Sequence, residues 1–143
     1  MPWLLSAHTA ATVFMVGLIW FVQVVHYPLF GFVGVGEFVN YERAHTGLTT
    51  IVVGPPMLVE LISGALILLL RPASWPLWAA VLGVVLLAVI WASTFFLQVP
   101  RHGELSAGFT DGAHRALLAT NWIRTLAWTA RGVLVLRVIF FAS

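Results

Sequence analysis

Residues 77–97, LWAAVLGVVLLAVIWASTFFL, decide the fold: the run holds no charged residue, no proline and a single glycine. It covers the ~20 residues a helix needs to cross a hydrocarbon core about 30 Å thick. A backbone in lipid must satisfy its own amides, so the run reads as a membrane-spanning helix. Working outward, residues 3–25, 49–70 and 121–141 form three further apolar runs of comparable length. The last is interrupted by Arg124, Arg131 and Arg137 but is still long enough to span. The whole chain, 143 residues, is 61% hydrophobic and only 8% charged, with a mean hydropathy of +1.00, so lipid is its natural solvent. The expected fold is all-α: a single domain, residues 1–143, built as an integral membrane antiparallel four-helix bundle with up-and-down topology.

Punctuation refines that outline. Tyr27-Pro28 and Val99-Pro100 are expected to end helices one and three, because proline lacks an amide hydrogen and restrains the residue before it. Pro55-Pro56 falls inside the second span and is expected to kink it. The connection RPASWP, residues 71–76, is short enough to make helices two and three an antiparallel hairpin. Helices two and four are expected to begin earlier, as polar turns over residues 36–47 and 110–120, with Thr110-Asp111 as a cap. The N-terminal run lacks a basic leader and carries His8, so it reads as a retained span rather than a cleaved signal.

Composition also excludes chemistry. There is no cysteine, which removes disulfides and thiolate ligands, and no lysine, which removes Schiff-base catalysis. A net charge of +2, from arginines that partly sit inside apolar runs, gives no basic patch for nucleic acid.

An up-and-down path gathers the end of helix one, the start of two, the end of three and the start of four at one membrane face. His26, Glu42, His45, Gln98, His102, Asp111 and His114 all fall there. Two motifs stand out, Glu42-Arg-Ala-His45 and Asp111-Gly-Ala-His114, each an acid three residues before a histidine. That spacing puts both side chains on one helix face. Each motif follows another histidine, His26 or His102, so the two halves of the chain both supply histidine, carboxylate and histidine. This inventory suits one or two redox metal ions, iron or copper. A haem held between imidazoles on facing helices is the nearest competitor. The plainer alternative makes Asp111 a helix cap and leaves the histidines bonded to water or backbone carbonyls.

A second polar layer lies deeper. His8 and His26 are eighteen residues apart, as are Glu42 and Glu60, which is five helical turns in each case. His114, Asn121, Arg124, Trp128 and Arg131 recur at helical spacing and are expected to face the bundle interior. Glu60 is expected to pair with Arg131, or with Arg124 one layer away. It then serves either as a structural ion pair or, with His8, as a proton path or the far wall of a substrate cavity. Trp3, Trp75 and Trp78 read as interfacial anchors, while Trp20, Trp91, Trp122 and Trp128 pack deeper or line a pocket for a flat ligand.

The motifs Val25-His26-Tyr27-Pro28-Leu29, Gln98-Val-Pro100-Arg-His102-Gly-Glu-Leu105 and Asn121-Trp-Ile-Arg124-Thr125 resemble those of the anthrone-oxygenase-like group of small four-span membrane proteins. The resemblance implies a multi-pass protein of a bacterial inner membrane that carries out oxygen-dependent oxidation of an activated aromatic without a cofactor. It implies that Asn121 and Arg124 position the substrate or its oxyanion. This chain departs from the pattern with Gln98 and His102 where the family usually shows asparagines, and its extra histidines favour an acquired metal or haem.

The sequence therefore leads to a membrane-embedded oxidoreductase acting on a lipophilic, aromatic or quinone-like molecule. His26, Glu42, His45, His102, Asp111 and His114 are its candidate ligands, and Asn121, Arg124 and Glu60 its candidate catalytic residues. The alternative is a non-enzymatic carrier or accessory subunit, acting through Glu60, His8 and the arginines with a second copy or a membrane-complex partner.

Overall fold

A computed structural model describes residues 1–141, and every element in it is helical. Four long helical segments follow one another: α1, Pro2–Phe32; α2, Val35–Leu70; α3, Leu77–Leu105; and α4, Asp111–Phe141. The first three are long and apolar enough to cross a membrane. α4 has 31 residues but carries Arg115, Arg124, Arg131 and Arg137, so composition alone does not make it a span.

Helices one and three do not end at their prolines. Each widens for one turn just before, over Val22–His26 and Thr94–Gln98, and then continues through Pro28 or Pro100. In both, the residue preceding proline donates its N–H five residues back, Tyr27 to Val22 and Val99 to Thr94. The wide turn moves aside the carbonyl that the proline ring would otherwise meet, which is how a helix tolerates an internal proline. One extra residue in a turn also rotates everything after it by about 100° about the axis. Tyr27 and His102 both lie beyond such a turn, so the bulges set where the site residues point.

α2 is continuous through Pro55-Pro56 and stops at Leu70, where Arg71 takes left-handed backbone angles (φ 47°, ψ 64°) and Pro72 follows. Packing is inside out relative to a water-soluble protein. Buried positions include Thr12, Gln23, Glu42, Glu60, Asn121 and Arg131, whereas Phe14, Leu48, Ile51, Phe96, Leu126 and Phe140 are exposed. Two apolar clusters flank the polar positions, one around Met15, Phe30, Phe38 and Leu117, the other around Leu4, Ile67, Trp75 and Val135.

Close helix approach depends on two glycines. A Cβ at Gly132 would lie 2.9 Å from Val16 Cγ2, and one at Gly64 2.9 Å from Leu87 Cδ1. Val16 is branched at Cβ and stiff, whereas the Leu87 methyl sits at the end of a side chain with a second rotatable bond. Gly132→Ala is therefore expected to destabilise the protein by about 1–3 kcal/mol and Gly64→Ala by less. Equal unfolding midpoints for the two variants in detergent would contradict this packing.

Candidate metal centre

Glu42 and His45 stand one turn apart on α2, and His102 reaches them from the last turns of α3. Ligating atoms from these three lie within 4.8 Å of one another, the spacing around a single ion. His102 Nδ1 meets Glu42 Oε1 at 2.5 Å. The second oxygen, Oε2, is buried with no hydrogen-bond partner among the described residues. An unsatisfied carboxylate oxygen in a closed interior is unfavourable by more than 1 kcal/mol, and a cation beside it would remove that penalty. His26 stands alongside, its Nε2 lying 2.8 Å from His45 Nδ1, which also meets Thr49 Oγ1 at 3.0 Å. The donor set is two imidazoles and one carboxylate with a third imidazole alongside, which suits a divalent first-row transition metal.

The far side of His102 is also engaged: its Nε2 lies 3.0 Å from the Tyr27 hydroxyl. A ligating histidine usually has its second nitrogen held in this way, which fixes the ring for the metal.

Two expected ligands stand elsewhere. Asp111 is exposed in the first turn of α4, where a carboxylate complements the helix dipole. His114 is buried, but its Nε2 donates to the Tyr27 carbonyl at 2.7 Å and its ring stacks on Phe30, with Gly31 against its Cε1–Nδ1 edge. The two halves of the chain are thus unequal: the first contributes Glu42 and His45, with His26 beside His45, and the second only His102. A haem between the imidazoles of His26 and His45 does not fit either, because their nitrogens are in direct contact and leave no slot for a porphyrin plane.

His45 and His102 also wall a cavity of about 620 Å³, with Tyr27, Gln98, Arg124 and Trp128. Apolar side chains, among them Ile19, Met57, Leu58 and Phe95, line the remainder. α2 and α3 touch at both ends, through Gly64 with Leu87 and through Glu42 with His102. Between those contacts the cavity reaches the protein surface at Thr50, Leu58, Phe95 and Val99, all exposed. Its mouth therefore opens sideways between two helices.

Asn121 does not reach the cavity. Its amide nitrogen donates to Gln23 Oε1 at 2.9 Å, and its Oδ1 accepts from Arg124 Nε and Nη2 at 2.9 and 2.7 Å. Asn121 positions Arg124, and Arg124 faces the cavity. Glu60 is likewise outside the candidate ligand group. It is fully buried and accepts hydrogen bonds from Thr12, Trp128 and Arg131, at 2.8, 2.8 and 3.2 Å. Trp128 links the layers, lining the cavity while donating its indole N–H to Glu60. His8 lies beside this layer and meets Ser63 Oγ at 2.7 Å.

Tyr27 is the main site residue that sequence reasoning missed. Its position before a proline marks it as a helix end, yet its hydroxyl lies between His102 and Arg124. Its place in the His26-Tyr27-Pro28 motif was the one available signal. No family model, curated protein or solved structure matches this chain.

Proposed function

We propose that this chain is a four-span, up-and-down membrane protein that oxidises a lipophilic molecule at a nonhaem metal centre held by Glu42, His45 and His102, with His26 alongside. The observation that carries the reading is the shared wall: two histidines and a carboxylate converge at one end of an apolar cavity that opens between α2 and α3. Two histidines and one carboxylate with open positions are the donor set of nonhaem iron oxygenases, and a sideways mouth suits a substrate dissolved in lipid. Insertion of all four helices is supported by the inside-out packing, because α4 also buries its arginines at 124 and 131 and exposes Ile123, Leu126, Val133 and Phe140. Alternating helix direction is supported by contacts at both ends of the first pair, His26 with His45 and His8 with Ser63.

In the proposed reaction the substrate gives up two electrons and two protons, and dioxygen accepts them to become hydrogen peroxide. A metal held by Glu42, His45 and His102 would carry the electrons between the two. The chain supplies an apolar chamber that excludes water, and Arg124 and Tyr27 face the substrate beside the ligands. Motif resemblance to the anthrone-oxygenase-like group points to the same class of aromatic, oxidisable substrate. The carrier reading is disfavoured by Glu60, whose carboxylate is enclosed within one chain by Arg131, Thr12 and Trp128 rather than facing a path.

The test is dioxygen uptake by the purified protein in nanodiscs with a lipophilic hydroquinone. Wild type is expected to consume oxygen above empty discs, and alanine at both His45 and His102 is expected to abolish the excess while the helical content is retained. Unchanged uptake and metal content in the double variant would overturn the proposal.

A further inference from the structure

The two buried arginines of α4 differ in a way that bears on what the cavity holds. Arg131 has a counter-ion, with Nη2 3.1 Å from Glu60 Oε1. Arg124 stands seven residues earlier, about two turns along the same helix, and has no carboxylate partner among the described residues. Its hydrogen bonds go to neutral oxygens: Asn121 Oδ1 from Nε and Nη2, Thr94 Oγ1 from Nη1 at 3.3 Å, and the Tyr27 hydroxyl from Nη2 at 3.5 Å. The fifth N–H of the guanidinium, on Nη1, is left over. Trp128 lies beneath its charge, 5.8 Å from ring centroid to Cζ. Glu42 is reached only through Tyr27 and His102.

A guanidinium does not deprotonate in a protein, so burial cannot neutralise Arg124 as it would a lysine. Holding a cation among apolar helices without a counter-ion is unfavourable by several kcal/mol. Arg124 is nevertheless 8% exposed, fixed by Asn121, and part of the cavity wall. We propose that the cavity binds a lipophilic anion, a phenolate, enolate or carboxylate, whose ionised oxygen supplies the counter-ion that Arg124 lacks. The proposal rests on the reading of the cavity as a lipophilic binding site, and it adds the charge and the head-group chemistry of the ligand. An ionised phenol or enol is also the electron-rich form of an oxidisable aromatic, so the same charge that docks the ligand prepares it for oxidation.

The probe is an alkylated 2-nitrophenol, whose ionisation is read from its absorption. It is compared with its methyl ether in zwitterionic nanodiscs, with empty discs subtracted and the protein stripped of metal. The phenol is expected to bind at least about tenfold more tightly than the ether at a pH where it is ionised. Its ionisation midpoint should fall by about one pH unit or more on binding, as for an acid beside a fixed cation. Arg124→Gln is expected to abolish both effects, and Arg124→Lys, which keeps the charge, to retain part of the midpoint shift. Displacement of the probe by dodecanoate would extend the site to lipid carboxylates, and resistance to it would restrict the site to aromatic oxyanions; either accords with the proposal. Equal binding of phenol and ether, or a midpoint shift that survives in Arg124→Gln, would overturn it. Because the protein is metal-free, a shift observed in a chain that never binds metal would leave this inference standing while removing the metal centre. Metal binding without a shift would do the reverse.

Discussion

Glu60→Ala is expected to be the most destabilising single substitution in the polar interior, lowering stability by about 3–5 kcal/mol, because it leaves Arg131 buried without a counter-ion. The carboxylate is fully enclosed, and Thr12, Trp128 and Arg131 all donate to it, so its loss orphans three donors at once. The Arg131 guanidinium cannot escape by deprotonation. One of its nitrogens, Nη1, would remain anchored to the Gly83 carbonyl and hold the charge in place. Replacing both members, Glu60→Leu with Arg131→Met, is expected to recover most of the loss, since apolar pairs of similar volume often match buried ion pairs in stability. Denaturant unfolding in detergent separates these outcomes. If Glu60→Ala were as stable as wild type, the ion pair would not be structural, and Glu60 would return as a functional acid.

The second large effect concerns the metal ligands. Glu42→Ala is expected to reduce metal affinity by more than 100-fold. Tyr27→Phe is expected to reduce it by about 10–100-fold, because the phenol orients His102 from outside the ligand set. Asp111→Ala and His114→Ala are expected to leave affinity unchanged. Asp111 faces outward at the start of α4, and His114 is tied to the Tyr27 carbonyl. Titration of purified variants with ferrous ion gives the four affinities directly. A loss for Asp111→Ala equal to that for Glu42→Ala would favour a symmetric two-half site over the arrangement described here.

The contrast between those variants marks how far the sequence could be read. The uncharged run at residues 77–97 predicts a long apolar helix because hydrophobicity and length suffice for that inference; helical spacing leaves Arg131 and Arg124 both open as partners of Glu60, and the structure selects Arg131. The stripe from His114 to Arg131 is buried throughout, as its 3.6-residue recurrence requires. The prolines misled, because their local preference is to end a helix, whereas a single wide turn at Val22–His26 and at Thr94–Gln98 lets the helix continue. That turn changes the rotational phase of everything after it, and a phase shift of this kind leaves no mark in composition. For the same reason the acid-x-x-His motifs looked equivalent. Glu42 and His45 lie well inside α2, with a full turn of helix before them, whereas Asp111 begins α4 and has no preceding turn to hold it toward the bundle. Asn121 is inside, as helical spacing predicts, but its hydrogen bonds to Gln23 and Arg124 make it a support for the arginine rather than a contact for the ligand.

Glu42, His45 and His102 are proposed to hold a nonhaem metal beside the cavity that opens between α2 and α3. Elemental analysis of the protein purified in mild detergent, taken together with its absorption spectrum, tests it most directly. Close to one transition-metal ion per chain is expected, iron foremost, with no Soret band, and that ion is expected to be lost when His45 and His102 are both alanine. A Soret band, or a metal content no higher in wild type than in the double variant, would contradict it.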